Sequence, residues 1–179
     1  WSFYCRSCAV FSKEYQSFMS FWNKYKSLAL IVFLTYLISL PAGLATSQSV
    51  GTWYVNIVKP SFNPPNWVFA PVWTMLYSLM SVAVWNVWNG LKETNKSRAI
   101  KIMSIYFFHL LVGASWSFAF FVFHQIFLSV CVIILIILFI IWLMKTYWLI
   151  NKASFYLMIP YLLWSSFALI LNISIWKLN

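Results

Sequence analysis

Four long uncharged apolar tracts, residues 28–58, 60–91, 102–144 and 153–176, decide what this chain can fold into. A span of bilayer hydrocarbon takes about 20 apolar residues, so each tract is long enough to cross it. As a single helix the third would run to about 65 Å at roughly 1.5 Å per residue, about twice the hydrocarbon thickness. The tract is therefore expected to break at its polar pair, His124-Gln125. The sequence predicts an all-α integral membrane bundle of five spans, at 28–47, 66–90, 102–122, 126–147 and 154–176. Only 8% of the residues are charged and 63% are hydrophobic, against about 25% charged in a soluble domain. Lipid must serve as the solvent for most of this surface.

Residues 1–27 read as a separate cytoplasmic or interfacial segment, in which Trp, Phe and Tyr alternate with Lys and Ser. The 28–179 region forms the membrane domain. With five spans, Arg6, Lys13, Lys24, Lys26, Lys92, Lys96, Arg98, Lys101, Lys145 and Lys152 fall on one side, leaving Lys59 and Lys177 on the other. The positive-inside rule then predicts a cytoplasmic N-terminus and an external 48–65 loop, as in a bacterial inner membrane. The net charge of +10 is read as this topology signal rather than as a nucleic-acid footprint.

The chemistry available is narrow. Glu14 and Glu93 are the two carboxylates of the chain, and both fall in polar segments away from the spans. Paired-carboxylate catalysis, acidic proton relays and Mg²⁺ or Ca²⁺ cages are excluded on that basis, and no metal site is expected. His109 lies inside the third span, where a structural partner is weighed above an axial haem ligand. His124 reads as a turn residue. Cys5 and Cys8 have redox-motif spacing without the supporting context, and Cys131 reads as a small buried hydrophobe.

Aromatic residues make up 22% of the chain, with twelve Trp. Trp1, Trp22, Trp88, Trp142, Trp148 and Trp176 fall near span ends, as an interfacial belt would place them. Trp53, Trp67, Trp73, Trp116 and Trp164 need another account. Trp73, Tyr77 and Met80 share one helical face, and so do Trp164, Ala168, Leu171 and Asn172. An amide inside an apolar span belongs toward the bundle interior, so Asn172 marks the Trp164 face as inward. These faces fit either a packed aromatic core or a pocket. Pro41 and Pro160 inside spans, and Pro71 near the start of one, favour bent helices and hence a cavity. The 53–67 loop, stiffened by Pro60, Pro64 and Pro65, would lie over it as a lid, with Lys59 as its cation.

The motifs W-Y at 53–54, K-P-S-F-x-P-P-x-W-V-F at 59–69, P-V-W-T-x-L-Y at 71–77 and P-Y-L-L-W-S-S-F-A-x-x-L-N at 160–172 resemble the TspO/MBR family of tryptophan-rich sensory and translocator proteins. The resemblance covers roughly residues 28–179. It implies a five-helix fold, frequent homodimers and a pocket for porphyrins or haem, bound as ligands with no cofactor required. The ligand-binding candidates are Trp53, Tyr54, Lys59, Phe69, Trp73, Tyr77, Trp116, Trp164, Ala168 and Leu171. Pro60, Pro64, Pro65, Trp67 and Asn172 are assigned to lid and scaffold. The expected function is a sensor, scavenger or carrier of tetrapyrroles, a binder rather than an enzyme. The alternatives are light-dependent protoporphyrin breakdown through indole radicals at Trp73 and Trp164, and sterol or lipid transport. Against the family pattern, Gly113 stands where many members carry Asn, Val132 where many carry Asp, and Ile173 and Lys177 interrupt a sterol-recognition pattern. Ser39, Gly43 and Ser47 on the first span, and Gly113 and Ser117 on the third, allow close helix approach.

Overall fold

A computed structural model describes the backbone from Phe3 to Asn179, and the side chains of Tyr15, Met19, Trp22 and every residue from Tyr25 onward. Six α-helices follow one another: α1 (Phe3–Val50), α2 (Trp53–Asn56), α3 (Phe69–Leu91), α4 (Lys96–Ser117), α5 (Ile126–Trp148) and α6 (Lys152–Leu178). Among the described residues, five stretches are long and apolar enough to cross a membrane: Tyr25–Val50, Asn66–Leu91, Lys96–Val122, Ile126–Trp148 and Lys152–Leu178. The short α2 belongs to the connection between the first two.

The helix ends follow local chemistry. Asn95 caps α4 by accepting the Arg98 N–H at 3.0 Å, and Asn151 caps α6 by accepting the Ser154 N–H at 3.1 Å. The Asn95 cap explains why α4 starts at Lys96, ahead of the expected 102. Lys96, Arg98 and Lys101 look like loop in a hydropathy reading but supply the first turns of the helix. At α3 a 3₁₀ turn, Asn66–Val68, leads in. Pro71 then falls in the first turn, where its missing N–H leaves no hydrogen bond unmade. Pro41 and Pro160 both lie within continuous helices. The helix α1 also runs unbroken through 3–27, the stretch read as a separate segment. The side chains of Cys5 and Cys8 lie outside the described residues.

The long third tract does break at His124-Gln125. It first widens into a π-helical turn, Phe118–Val122. His124 then adopts φ 54°, a left-handed conformation that reverses the chain into α5 and that β-carbon sterics make costly.

The five spanning helices close into a ring. The helix α1 packs on α3 and α4, α4 on α5, α5 on α6, and α6 back on α3. Leu76, Met80, Val84, Tyr106, Leu110, Ile140, Leu143, Met158 and Tyr161 fill the centre. Outward faces are equally apolar: Leu30, Phe33, Leu37, Leu40 and Leu44 of α1 are all exposed. Their i, i+3, i+4 spacing makes a stripe suited to acyl chains. Cys131 is exposed rather than buried, because Val130, Ile133 and Ile140 carry the inward face of α5. A thiol on the other face meets lipid at little penalty.

Several buried polar groups of the interior satisfy one another, as hydrocarbon surroundings favour, while the buried Tyr147 and Ser154 hydroxyls have no hydrogen-bond partner. The Thr35 hydroxyl lies 2.9 Å from the Tyr106 hydroxyl and accepts from Ser81 at 3.2 Å, joining α1, α3 and α4. The Nε2 atom of His109 sits 2.8 Å from the Tyr161 hydroxyl, joining α4 to α6. On α6, Asn172 donates to the Ser129 hydroxyl of α5 at 2.7 Å.

Candidate functional site

One aromatic cleft opens where α3, α6 and the π-helical turn meet beneath α2. Its walls are Tyr54, Phe69, Trp73, Trp116, Phe120, Phe121, Trp164, Phe167, Ala168, Leu171, Asn172 and Ile175. The helix α3 supplies Phe69 and Trp73 one turn apart, and α6 supplies Trp164, Phe167, Ala168, Leu171, Asn172 and Ile175 from a single inward face. The π-helical turn adds a residue to the helical period and so brings both Phe120 and Phe121 inward. The stack of Trp116 on Phe120, at 5.7 Å between centroids and 15° between planes, makes a flat wall.

The lid is held by several unlike contacts. Tyr54 is 2% exposed and packs edge-on against Phe120 and Phe121, with centroids 6.1 and 5.7 Å away. Its hydroxyl donates to the Asn63 Oδ1 at 2.6 Å, which folds the proline-rich stretch back over α2. Burial pushes the Tyr54 phenol up to about 12, so it stays a neutral donor under any physiological condition. Trp53 stacks on His124 at 4.2 Å between centroids, so the turn after α4 clasps the lid from the far side. The Val58 amide donates to Asn179 Oδ1 and the Val58 carbonyl accepts from Asn179 Nδ2, both at 3.0 Å.

Lys59 is part of this lid rather than of the cleft wall. Its ammonium donates to the carbonyls of Tyr54 at 2.6 Å, Val55 at 3.2 Å and Ile57 at 3.2 Å. These are carbonyls at the C-terminal end of α2, where a cation is favoured. The ammonium also lies 4.9 Å from the Tyr54 ring centroid.

Closed in this way, the cleft has about 30 Å³ of free room, enough for a water or two and far below the roughly 300–1,000 Å³ of a small-molecule pocket. A large ligand would fit only if walls of the cleft, the lid among them, moved apart. One polar group waits in the wall. The Trp116 indole N–H is buried with no hydrogen-bond partner, a state that costs about 1–3 kcal/mol. A ligand acceptor reaching it would recover that loss.

A family model described as TspO/MBR family matches residues 20–177. The chain belongs to the TspO/MBR family. It is 32% identical over 154 residues to the tryptophan-rich protein TspO of Chlorobaculum tepidum, spanning 86% of this chain and 96% of the relative. It is 31% identical to protein CrtK of Rhodobacter capsulatus, over 85% of this chain and 95% of that protein. With the translocator protein of Homo sapiens it shares 29% identity over 71% of this chain and 75% of the human one. As a TspO/MBR protein with five spanning helices it is an integral, multi-pass membrane protein.

Of the candidate ligand-binding residues in this TspO/MBR chain, Tyr54, Phe69, Trp73, Trp116, Trp164, Ala168 and Leu171 line the cleft together, and so does Asn172. Trp53, Lys59 and Tyr77 do not. Trp53 and Lys59 hold the lid, and Tyr77 stacks behind Trp73 at 5.4 Å. Trp73 and Trp164 share the cleft but hold different partners, Tyr77 and Tyr161 for the first and Phe69 and Phe167 for the second. Trp67 points away, at 74% exposure. Phe120, Phe121, Phe167 and Ile175 were not anticipated. Phe167, three residues after Trp164, already lies on the expected α6 face, and Ile175 could have been reached by extending that face one turn past Leu171. Phe120 and Phe121 could not, since the π-helical turn breaks the spacing that would reveal them.

Proposed function

We propose that this TspO/MBR protein binds a flat tetrapyrrole of the porphyrin or haem type beneath the lid, as a sensor, scavenger or carrier. The observation that carries this reading is the composition of the cleft. Tyr54, Phe69, Trp73, Trp116, Phe120 and Trp164 offer ring faces and edges on several sides, and the Trp116 indole N–H is buried there without a hydrogen-bond partner. Each aromatic pair adds about 0.5–1.5 kcal/mol beyond simple burial, so a ligand with a wide π surface gains most. The excess of Lys and Arg at the opposite end of the bundle supports an orientation with the lid outside and the N-terminus in the cytoplasm. A homodimer is part of the proposal, with Gly43 and Ser47 left exposed on α1 for close helix approach.

Titration of the purified protein with protoporphyrin tests the reading through Trp fluorescence. Saturable quenching that falls in Trp116→Phe is the expected result, and no quenching at all would reject it. Illumination of the saturated complex then separates a binder from a light-driven porphyrin-degrading protein. Bleaching of the porphyrin band that requires Trp73 and Trp164, with binding retained in both Phe variants, would assign the second role.

A further inference from the structure

A buried polar pair stands behind Trp73, outside the ligand-facing wall. Tyr161 and His109 are 2% and 0% exposed. The His109 Nδ1 lies 3.3 Å from the Tyr106 carbonyl oxygen, which can only accept, so Nδ1 carries the hydrogen. The Nε2 lone pair is then free to accept, and the Tyr161 hydroxyl, 2.8 Å away, is its donor. The Tyr161 ring meets the Trp73 ring edge-on with centroids 6.2 Å apart, and Trp73 forms the cleft wall. The second tyrosine in ring contact with Trp73, Tyr77, has no imidazole on its hydroxyl among the described contacts. Indole, phenol and imidazole thus stand in line from the cleft into the bundle interior.

We propose that Tyr161 and His109 form a proton-coupled electron donor that reduces an oxidised Trp73. The inference rests on the reading that a light-absorbing aromatic ligand occupies the cleft. The excited ligand takes one electron from Trp73, giving a ligand radical anion and an indole radical cation. Tyr161 returns one electron to Trp73, and its O–H proton passes to His109 Nε2. The products are neutral Trp73, a neutral Tyr161 phenoxyl radical and a His109 imidazolium. Charge and protons balance, and the hydrogen bond already in place means that neither proton partner has to move. A phenol without a base would have to form its cation radical in hydrocarbon surroundings, which the low dielectric disfavours. The imidazolium keeps both nitrogens engaged, Nδ1–H on the Tyr106 carbonyl and Nε2–H on the phenoxyl oxygen. The relay moves the hole out of the cleft wall, where it would attack indole or ligand, and stores it 0–2% exposed in the interior.

The test avoids tetrapyrroles. The full chain in detergent micelles is flashed with tris(bipyridine)ruthenium(II) and a pentaamminechlorocobalt(III) quencher, and radicals are read by electron paramagnetic resonance. The expected result is a tyrosyl signal that narrows with ring-deuterated tyrosine, with indole-radical decay that is slower in D₂O. The tyrosyl signal is lost in Tyr161→Phe. In His109→Gln, which keeps an acceptor but removes the base, its yield falls by roughly 100-fold or more, the scale of a positioned proton acceptor, and the indole radical persists. An indole radical alone in the unmodified protein, or an unchanged tyrosyl signal in Tyr161→Phe, overturns the proposal. The unmodified protein and the D₂O comparison decide even if a variant folds poorly. Failed protoporphyrin binding with a positive flash result rejects the ligand reading and leaves the relay standing, and the reverse outcome does the opposite.

Discussion

Lys59→Met separates two roles for the lid cation, and the two predict opposite signs. The substitution keeps the length and apolar stem of the side chain while removing the charge. In the closed structure the ammonium holds the Tyr54 carbonyl at 2.6 Å and two more carbonyls at 3.2 Å. A hydrogen bond to a charged group contributes about 1.5–3 kcal/mol, and the contact over the Tyr54 ring about 0.5–1 kcal/mol. Lys59 is half-buried, so water takes over part of this, and about 2 kcal/mol is a fair magnitude for lid closure. That corresponds to a roughly 30-fold larger open population, at tenfold per about 1.4 kcal/mol. Hydrogen–deuterium exchange of the 53–63 amides should accelerate by that factor, because exchange there follows local opening. With about 30 Å³ free in the closed cleft, binding waits on the open state, so protoporphyrin association should speed up and apparent affinity rise. If the ammonium instead leaves its carbonyls to pair with a ligand carboxylate, Lys59→Met weakens binding, most visibly at low salt. Weaker binding with unchanged exchange would refute the closed-lid argument.

Three further outcomes are expected. A double-mutant cycle on Ser129→Ala and Asn172→Leu should give a coupling of about 0.6–1.7 kcal/mol in detergent-titrated unfolding, and zero coupling would remove the 2.7 Å bond from the stability account. Gly113→Ala should raise stability by about 0.5–1 kcal/mol, because a β-carbon there meets nothing within 4 Å; a loss measured in the same assay would reveal a neighbour packed on that face from outside the chain. His124→Gly should unfold at higher temperature than His124→Ala, by about 1 kcal/mol in stability. Both lose the stack on Trp53, but glycine alone relieves φ 54°, and equal stabilities would contradict the backbone term.

The helices were legible because lipid imposes a length and a polarity that no other fold produces. The polar pair His124-Gln125 marked the break in the third tract, and the inward amide of Asn172 gave the correct face of α6. Trp73 and Trp164 could be assigned to one cleft by motif, and Trp116 by the family resemblance. Lys59 shows where such reading stops. A lone lysine beside an aromatic loop looks like an anion partner, and only the turn of the chain after α2 shows that three carbonyls converge on it. Trp67 sits within the most recognisable motif yet points outward, because the 3₁₀ turn Asn66–Val68 rotates it off the face that Phe69 begins. Cys131 was misplaced for a different reason: in lipid, an apolar residue type carries no information about inside and outside.

The closed lid also sets a lower limit on ligand size. Opening it gives up the Lys59 contacts and the packing of Tyr54 on Phe120 and Phe121, whose edge-on pairs contribute about 0.5–1.5 kcal/mol each. A single-ring compound meets one or two faces of the cleft and cannot offset that loss, even if it carries an acceptor to the Trp116 N–H. A macrocycle meets Trp73, Trp164 and the Trp116–Phe120 wall together and gains several such terms at once, along with the burial of a wide apolar surface. Discrimination then arises from the energy of closure, without a charged or hydrogen-bonded reading of substituents. A lid loosened at Lys59 should admit smaller aromatics as well as bind large ones faster, so affinity and selectivity should move in opposite directions in the same variant.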